Sequence, residues 1–372
     1  MKKVLIISTV SRQFYLFEQA NIRVLRNLGY EVHGAANFDD RSARLKEVNI
    51  IEHNIPFQRS PFTIANFKAY KELLNLVENQ KFDIIHCHSP VGGVLGRLVG
   101  MRVQNTKVFY TAHGFHFYKG SPLLNWLLFY PIEKYLSKYT DQMIVINNED
   151  FTLAKNKFKM KNLNLVTGIG VNFKKFAPST FQKKMEMRKS LSLKESDHVL
   201  IYVGELSKRK NQMVLIETMV EVLKKFPNSY LLLVGQGELK SEYLEKISKL
   251  KLTDHIHLLG YRNDIADLMQ MSDVALSSSI QEGLPVNLME AMGVGLPLIV
   301  SNCRGNSDLV ENQVNGIIVA ENKEEFWAKA ICELLDSPQL LKLFGQRSFE
   351  KSIKYSEEEV MRDMYEIYNK HI

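Results

Sequence analysis

Two carboxylates, Glu282 and Glu290, frame the stretch of chain best suited to chemistry, Ser278-Ser279-Ile280-Gln281-Glu282-Gly283-Leu284-Pro285-Val286-Asn287-Leu288-Met289-Glu290-Ala291-Met292. Gly283 suits a tight loop and Pro285 the first position of a helix. Backbone N–H groups at such a helix start, with the helix dipole behind them, make a site for an anion such as a phosphate. Glu282 falls in the loop and Glu290 inside the helix, so one carboxylate can accept hydrogen bonds from sugar hydroxyls while the other takes a ribose. The spacing equally admits a plainer reading, in which Glu282 complements the helix dipole and Glu290 lies at the surface. His113, before Gly114, is similarly divided between a structural and a functional histidine. The neighbouring His116, Phe115, Phe117 and Tyr118 favour a functional loop. His86 and His88 share one side of a strand, which permits two metal ligands, but no third is evident. No Asp-x-Asp element ends a strand, so neither a metal nor another cofactor is expected. Gly235-Gln236-Gly237 lacks the third glycine of a dinucleotide fingerprint. Gly92, Gly93 and Gly96 have the same weakness and suit close helix–sheet packing.

These residues need a frame to hold them. Apolar strands are expected at 4–8, 31–36, 50–55, 83–88, 107–113, 142–147 and 163–167, with helical patterns between them and a first helix over 14–28. Such alternation argues a parallel sheet covered on both faces. Residues 171–192, with Pro178, several Ser/Thr and many Lys, read as a linker. The alternation then resumes, with strands at 198–203, 229–234, 255–259, 273–277, 297–300 and 316–319. Helices are expected over 211–226, 239–250, 285–292 and 323–335, and a terminal one over 357–369. The result is two α/β domains in tandem, with ligands expected at the carboxyl ends of the strands.

On this frame the motifs resemble a known family. Glu282-Gly-Leu-Pro…Glu290 is similar to the E-x7-E signature of the retaining GT-B glycosyltransferases of family four. Val203-Gly204-Glu205-Leu206…Lys210-Asn211, Leu233-Val234-Gly235-Gln236-Gly237 and Leu259-Gly260-Tyr261-Arg262-Asn263-Asp264 resemble the same family in the same order. His86-Cys87-His88-Ser89-Pro90-Val91-Gly92-Gly93 and Thr111-Ala112-His113-Gly114-Phe115-His116-Phe117 resemble its capsule and exopolysaccharide subgroup. The resemblance implies two Rossmann-like domains facing across a cleft. The first, 1–174, would bind the acceptor, with helix 356–372 packing back on it; the second, 175–355, would bind a nucleotide-sugar. It implies that Glu282 binds the donor sugar, Glu290 the ribose, and Lys210 the diphosphate. His113 would approach the reacting centre. Gly204, Glu205, Gly235, Gly237, Gly283, Leu284 and Pro285 would line the donor site, with Arg262 bordering the base. Ser11, Arg12, Gly92 and His116 would meet the acceptor. One departure stands out. The family usually has Arg after the strand-end glycine, where this chain has Glu205; Lys208 or Arg209 could supply the cation instead.

Composition narrows the partners. The chain has 372 residues, is 45% hydrophobic and 24% charged, and carries a formal charge of +7. It is therefore a globular protein, long enough for two domains. No apolar run reaches the ~18 residues of a membrane-spanning helix. The opening residues read as a strand, not a signal peptide. Cys87, Cys303 and Cys332 are too few and too scattered for a disulfide framework. Residues 1–174 hold 23 basic and 13 acidic residues, the remainder 25 and 28, so the excess positive charge falls in the first half. Such a half implies an anionic partner. Nucleic acid is not expected, since no recognised binding motif occurs. The segment Pro122–Pro131, rich in Leu and aromatics and flanked by Lys119, Lys134 and Lys138, suits either an interface on an anionic membrane or a core helix. The expected enzyme moves a sugar from a UDP-linked donor to a polyprenyl-diphosphate-linked saccharide, as a cytoplasmic protein peripheral on the inner membrane face. The alternatives are a nucleotide-sugar epimerase of the same fold and a non-catalytic partner subunit.

Overall fold

The computed structural model describes residues 1–39, 41–61, 63–88 and 90–370. The chain divides into two compact units, Met1–Gly170 with Glu357–Ile372, and Val171–Ser356. In the first unit, β1 (Lys3–Val10), β2 (Glu31–Asn37), β3 (Ile51–Asn54), β4 (Ile84–His88), β5 (Lys107–Ala112), β6 (Gln142–Val145) and β7 (Asn162–Leu165) form a parallel sheet ordered β3-β2-β1-β4-β5-β6-β7. The second unit repeats the scheme with β8 (His198–Val203), β9 (Ser229–Val234), β10 (Ile256–Gly260), β11 (Val274–Ser277), β12 (Leu298–Ser301) and β13 (Gly316–Val319), ordered β10-β9-β8-β11-β12-β13. The central strands read as unbroken apolar runs because helices bury both their faces. Leu5 and Ile7 of β1 point into one core layer, Val4 and Ile6 into the other. Each order reverses beside its first strand, β1 or β8, the place where such sheets bind ligands.

Three local expectations are corrected. The first helix is interrupted into Arg12–Leu16 and Gln19–Asn27, because Glu18 turns inward and is fully buried. The supposed linker contains a helix, Phe181–Lys189, without an apolar stripe. It is fixed instead by Arg188, which is buried and donates to Asp273 Oδ2 (2.7 Å) and to the Met271 carbonyl (2.9 Å). Pro285 is the N-cap rather than the first helical residue of Val286–Val294. The terminal helix, Glu357–Asn369, buries Val360, Met364, Ile367 and Tyr368 in the first unit's core, among Phe14, Ile22, Phe109 and Ile144. Gly93 and Gly96 lie against Tyr110 and Cys87, where a Cβ would come within 2.4 and 2.7 Å of those side chains. Ser89, in the His86–Gly93 motif, lies outside the described residues.

Candidate active site

In the Val171–Ser356 unit the sequence motifs converge. Lys210, just before the helix Gln212–Lys225, and Glu282, after β11, are both buried and meet at 2.6 Å. Arg209 joins them from the solvent side, its Nη1 3.2 Å from Glu282 Oε2 and 3.0 Å from the Gln281 carbonyl. Ser279 donates to Glu282 Oε1 (2.6 Å), and the Lys210 carbonyl accepts from Tyr202 (3.1 Å) and Ser278 (3.1 Å). Burial acts to raise the Glu282 pKa. The Lys210 ammonium and Arg209 guanidinium outweigh it and hold the carboxyl below its ordinary value. Glu282 is therefore a buried, ionised acceptor, and Lys210 a fixed cation with three donors, of which Glu282 takes one.

The glycines around this pair are explained by the chain itself. Gly235 has φ +146°, and a Cβ there would lie 2.0 Å from the Gly204 carbonyl; at Gly237 it would lie 2.1 Å from that of Leu206. The loops after β8 and β9 thus run in contact, with Leu206 N–H donating to the Gln236 carbonyl (2.9 Å). Gly283 and the buried Leu284 precede the helix Val286–Val294, whose first N–H groups have no acceptor within the helix. Glu205 is exposed to solvent, and its carbonyl accepts from Gln212 (2.9 Å). Arg262 is held by Asp264 through Nε (2.7 Å) and Nη2. Glu290 is not joined to the Lys210–Glu282 cluster. Desolvation pushes its pKa up to about 7, opposed only by Lys175. The motifs missed Arg304, whose Nε donates to the Glu282 carbonyl (3.1 Å), and Gly305, at φ +81°, where a Cβ would lie 2.5 Å from the Gly283 carbonyl. Their signal was an Arg-Gly pair in the polar loop after β12.

The Met1–Gly170 unit has its own cluster at the carboxyl ends of β4 and β5. His88 Nδ1 lies 3.0 Å from Glu18 Oε1 and 3.2 Å from His113 Nε2. Gln13 Nε2 donates to Glu18 Oε1 (3.0 Å) and lies 3.2 Å from His113 Nε2; Asn21 donates to Glu18 Oε2 (2.6 Å). Desolvation pushes the Glu18 pKa up to about 8, against the hydrogen bonds from Asn21 and Gln13, and burial pulls His113 down to about 4. A protonated carboxyl and neutral imidazoles therefore share protons behind the part of His113 that reaches solvent. Glu18, Gln13 and Asn21 carried no motif; the only trace was a lone acid in Phe14-Tyr15-Leu16-Phe17-Glu18. Glu18, His88 and His113 have ligand-capable atoms within 4.8 Å of one another, a set that joins His88 to two residues other than the expected His86. His86 is not part of this set, since Tyr368 (2.5 Å) and Thr111 (2.7 Å) engage both its nitrogens. His88 Nε2 has no partner among the described residues, whereas a metal-bound imidazole ordinarily anchors its second N–H. Of the expected acceptor residues, Ser11 and Gly92 are buried, Arg12 is exposed, and His116 lies against Phe129 with ring centroids 5.0 Å apart.

Two parallel sheets with clusters at their strand ends define a two-unit α/β protein with Rossmann-like units, and comparison with known proteins narrows the class. Residues 183–351 match the family described as glycosyl transferases group 1, and residues 3–147 match that described as glycosyl transferase 4-like. EpsD of Bacillus subtilis (strain 168), named as a glycosyltransferase, is 36% identical over 99% of this chain and 96% of its own. The UDP-Gal:alpha-D-GlcNAc-diphosphoundecaprenol alpha-1,3-galactosyltransferase of Escherichia coli is 31% identical over 74% of this chain and 72% of its own. The fold is that of Anabaena Alr3699/HepE, solved with UDP and glucose, at a TM-score of 0.82, 17% identity and full coverage of both chains. The chain belongs to the group 1, family-four glycosyltransferases of GT-B fold.

Proposed function

We propose that this glycosyltransferase moves one sugar from a UDP-linked donor to a saccharide carried on polyprenyl diphosphate, with retention of anomeric configuration, in capsule or exopolysaccharide assembly. The observation that carries the reading is the buried Lys210–Glu282 pair, with Arg209 beside it, next to a helix N-terminus. A sugar diphosphate needs hydroxyl acceptors for the sugar and fixed positive charge for the leaving group, and this cluster offers both. Glu282 accepts from the sugar hydroxyls. Lys210, Arg209 and the N–H groups at Val286 and Asn287 stabilise the charge that grows on the diphosphate as its bond to the anomeric carbon breaks. The acceptor hydroxyl attacks from the same face, and its proton passes to the departing phosphate oxygen. We assign His113 to a hydrogen bond with the transferred sugar, Glu290 to the ribose, and Arg262 to the edge of the base. Hexoses and N-acetylhexosamines, including 6-deoxy forms, fit this chemistry. The relatives' names support the UDP donor and the lipid-linked acceptor.

The test is a panel of labelled UDP-, GDP- and dTDP-sugars with membrane lipid extract, run on the native chain and on Glu282→Gln. The glutamine keeps a carbonyl acceptor for the Lys210 ammonium, whereas alanine would leave that buried ammonium without the acceptor it now has, at a cost of about 3–5 kcal/mol. Transfer should fall by at least about 100-fold, the scale of one well-placed transition-state contact. UDP affinity by calorimetry should change little. Failure of the native chain to transfer any sugar, or loss of UDP binding in the folded variant, would overturn the reading.

A further inference from the structure

The helix Leu123–Ser137 is apolar on its outward face as well as toward the core. Its acidic residue, Glu133, points inward and binds Arg97 at 2.7 and 2.9 Å, and the Arg97 guanidinium lies 3.8 Å from the centre of the Tyr110 ring. Leu136 is buried and Trp126, Phe129 and Tyr130 pack against the core, but the helix's remaining apolar residues point outward. Leu123 is 74% exposed, Leu124 61%, Leu127 65%, Ile132 46% and Tyr135 49%. Between Pro122 and Tyr139 every exposed position is Pro, Leu, Ile, Tyr or Lys. A helix on a soluble domain ordinarily shows the reverse pattern. A contiguous exposed apolar patch of this kind marks an interaction site. The apolar surface continues through Trp126 and Tyr130 into a groove of about 540 Å³ against the helix Asn148–Lys157, where Leu153, Lys157 and one acid, Glu149, also line it.

Charge decides the occupant. Lys134 and Lys138 are the exposed ions of this face, with their ammonium groups 5.7 and 5.8 Å from the Tyr130 and Tyr135 ring centres. Leucines at one end, with tyrosines and lysines at the other, suit a boundary where hydrocarbon gives way to anionic headgroups. A symmetric pairing of two copies through this face would place lysines on a surface of their own sign. No helix of the described chain is long and apolar enough to cross a membrane, so the contact is a surface one.

We propose that the outward face of Leu123–Ser137 is the surface by which this chain docks on an anionic phospholipid bilayer. This rests on the reading above, in which the acceptor is held by a lipid, and it names the residues that bring the enzyme to it. The test uses the full chain with vesicles of phosphatidylcholine alone or of phosphatidylcholine with phosphatidylglycerol. Flotation should recover the native chain with the anionic vesicles and not with the neutral ones. A variant combining Leu124→Ser, Leu127→Ser and Leu128→Ser should lose at least about tenfold in partition, since it removes the apolar side chains that hydrocarbon would bury. Lys134→Glu with Lys138→Glu should lose a smaller factor, and added salt should weaken the native chain in the same way. These positions are exposed, so folding should survive, and UDP binding by calorimetry checks it while testing the donor site independently. Equal partition of native and serine variants, or no native binding to anionic vesicles, would overturn the proposal. So would a native dimer that the serine changes dissolve without any vesicle binding, since the face would then join copies of the chain. Failure of UDP binding alone would count against the transferase reading and leave this surface standing.

Discussion

Glu18 and the histidines around it titrate in opposite senses, which gives the first unit a defined pH signature. Glu18 is raised by desolvation to about 8 in the folded chain, so folding holds a proton that the unfolded chain releases above about 4.5. Stability from this group is therefore lost as pH rises from about 4.5 to about 8. His86 and His113 are lowered by burial to about 3 and about 4, and His88 lies well below its ordinary 6.5. Their unfolded forms take up protons that the folded forms refuse, so stability is lost as pH falls below about 6.5. Near pH 5.5 the three histidines outweigh the one carboxyl, and near pH 7.5 the carboxyl dominates. Stability of the Met1–Gly170 unit should thus peak close to neutrality. Glu18→Gln mimics the protonated acid and should remove the alkaline fall, gaining on the native chain by up to about 1.4 kcal/mol per pH unit between pH 5 and 8. Thermal melts of both proteins across that range check it; parallel curves would mean that Glu18 is ionised in the folded state. The sequence could not have shown this network. Glu18 becomes visible only when the break between two short helices turns it toward β4 and β5, and nothing in its neighbours encodes that turn.

The terminal helix Glu357–Asn369 belongs energetically to the first unit although it follows the second in the chain. Val360, Met364, Ile367 and Tyr368 recur with helical spacing on one buried face. The Tyr368 hydroxyl also meets His86 Nδ1, and Arg23 meets Glu357 at 2.6 Å. Ending the chain at residue 356 would expose Phe14, Ile22 and Phe109, so the first unit should unfold at lower temperature while the second keeps its own transition. Limited proteolysis should then cut first within residues 1–170. Tyr368→Phe isolates the buried hydroxyl and should cost about 1–3 kcal/mol, because His86 Nδ1 is left unsatisfied. In the second unit Gly235→Ala meets both a φ of +146° and a carbonyl at 2.0 Å, and should disrupt the loop after β9. UDP binding by calorimetry should fall with it. The central parallel strands were legible because burial on both faces writes them as apolar runs. The Glu282, Lys210 and Gly235 positions were legible because their motifs are contiguous. The helix Phe181–Lys189 was hidden because a buried Arg188 pairing with Asp273, 85 positions away, replaces the apolar stripe that periodicity looks for.

Charge reads differently for the folded units than for the halves of the chain. Counted by folded unit, residues 1–170 with 357–372 hold 24 basic and 18 acidic residues, a net of +6, and residues 171–356 hold 24 and 23, a net of +1. The contrast of +10 against −3 seen along the chain is thus halved or more, because the terminal helix brings Glu357, Glu358, Glu359, Asp363 and Glu366 back onto the basic unit. Its exposed acids, Glu358 and Glu366, lie on the face turned away from Val360 and Met364. On the proposed function, the nearly neutral second unit would hold its anionic donor through fixed neighbours: a buried Lys210, a half-exposed Arg209 and a helix N-terminus. Buried charges are screened far less than a diffuse surface field. Calorimetric UDP affinity should consequently fall by no more than about tenfold as salt rises from about 0.05 to 0.5 M, a weak dependence for so anionic a ligand. Lys210→Met should lower that affinity by at least about 100-fold, because it removes a desolvated contact to the diphosphate. Arg209→Met, which removes a partly solvated cation, should cost about tenfold and most of the remaining salt sensitivity. A steep salt dependence that survives Arg209→Met would place the attraction in the unit's overall field and refute this local account.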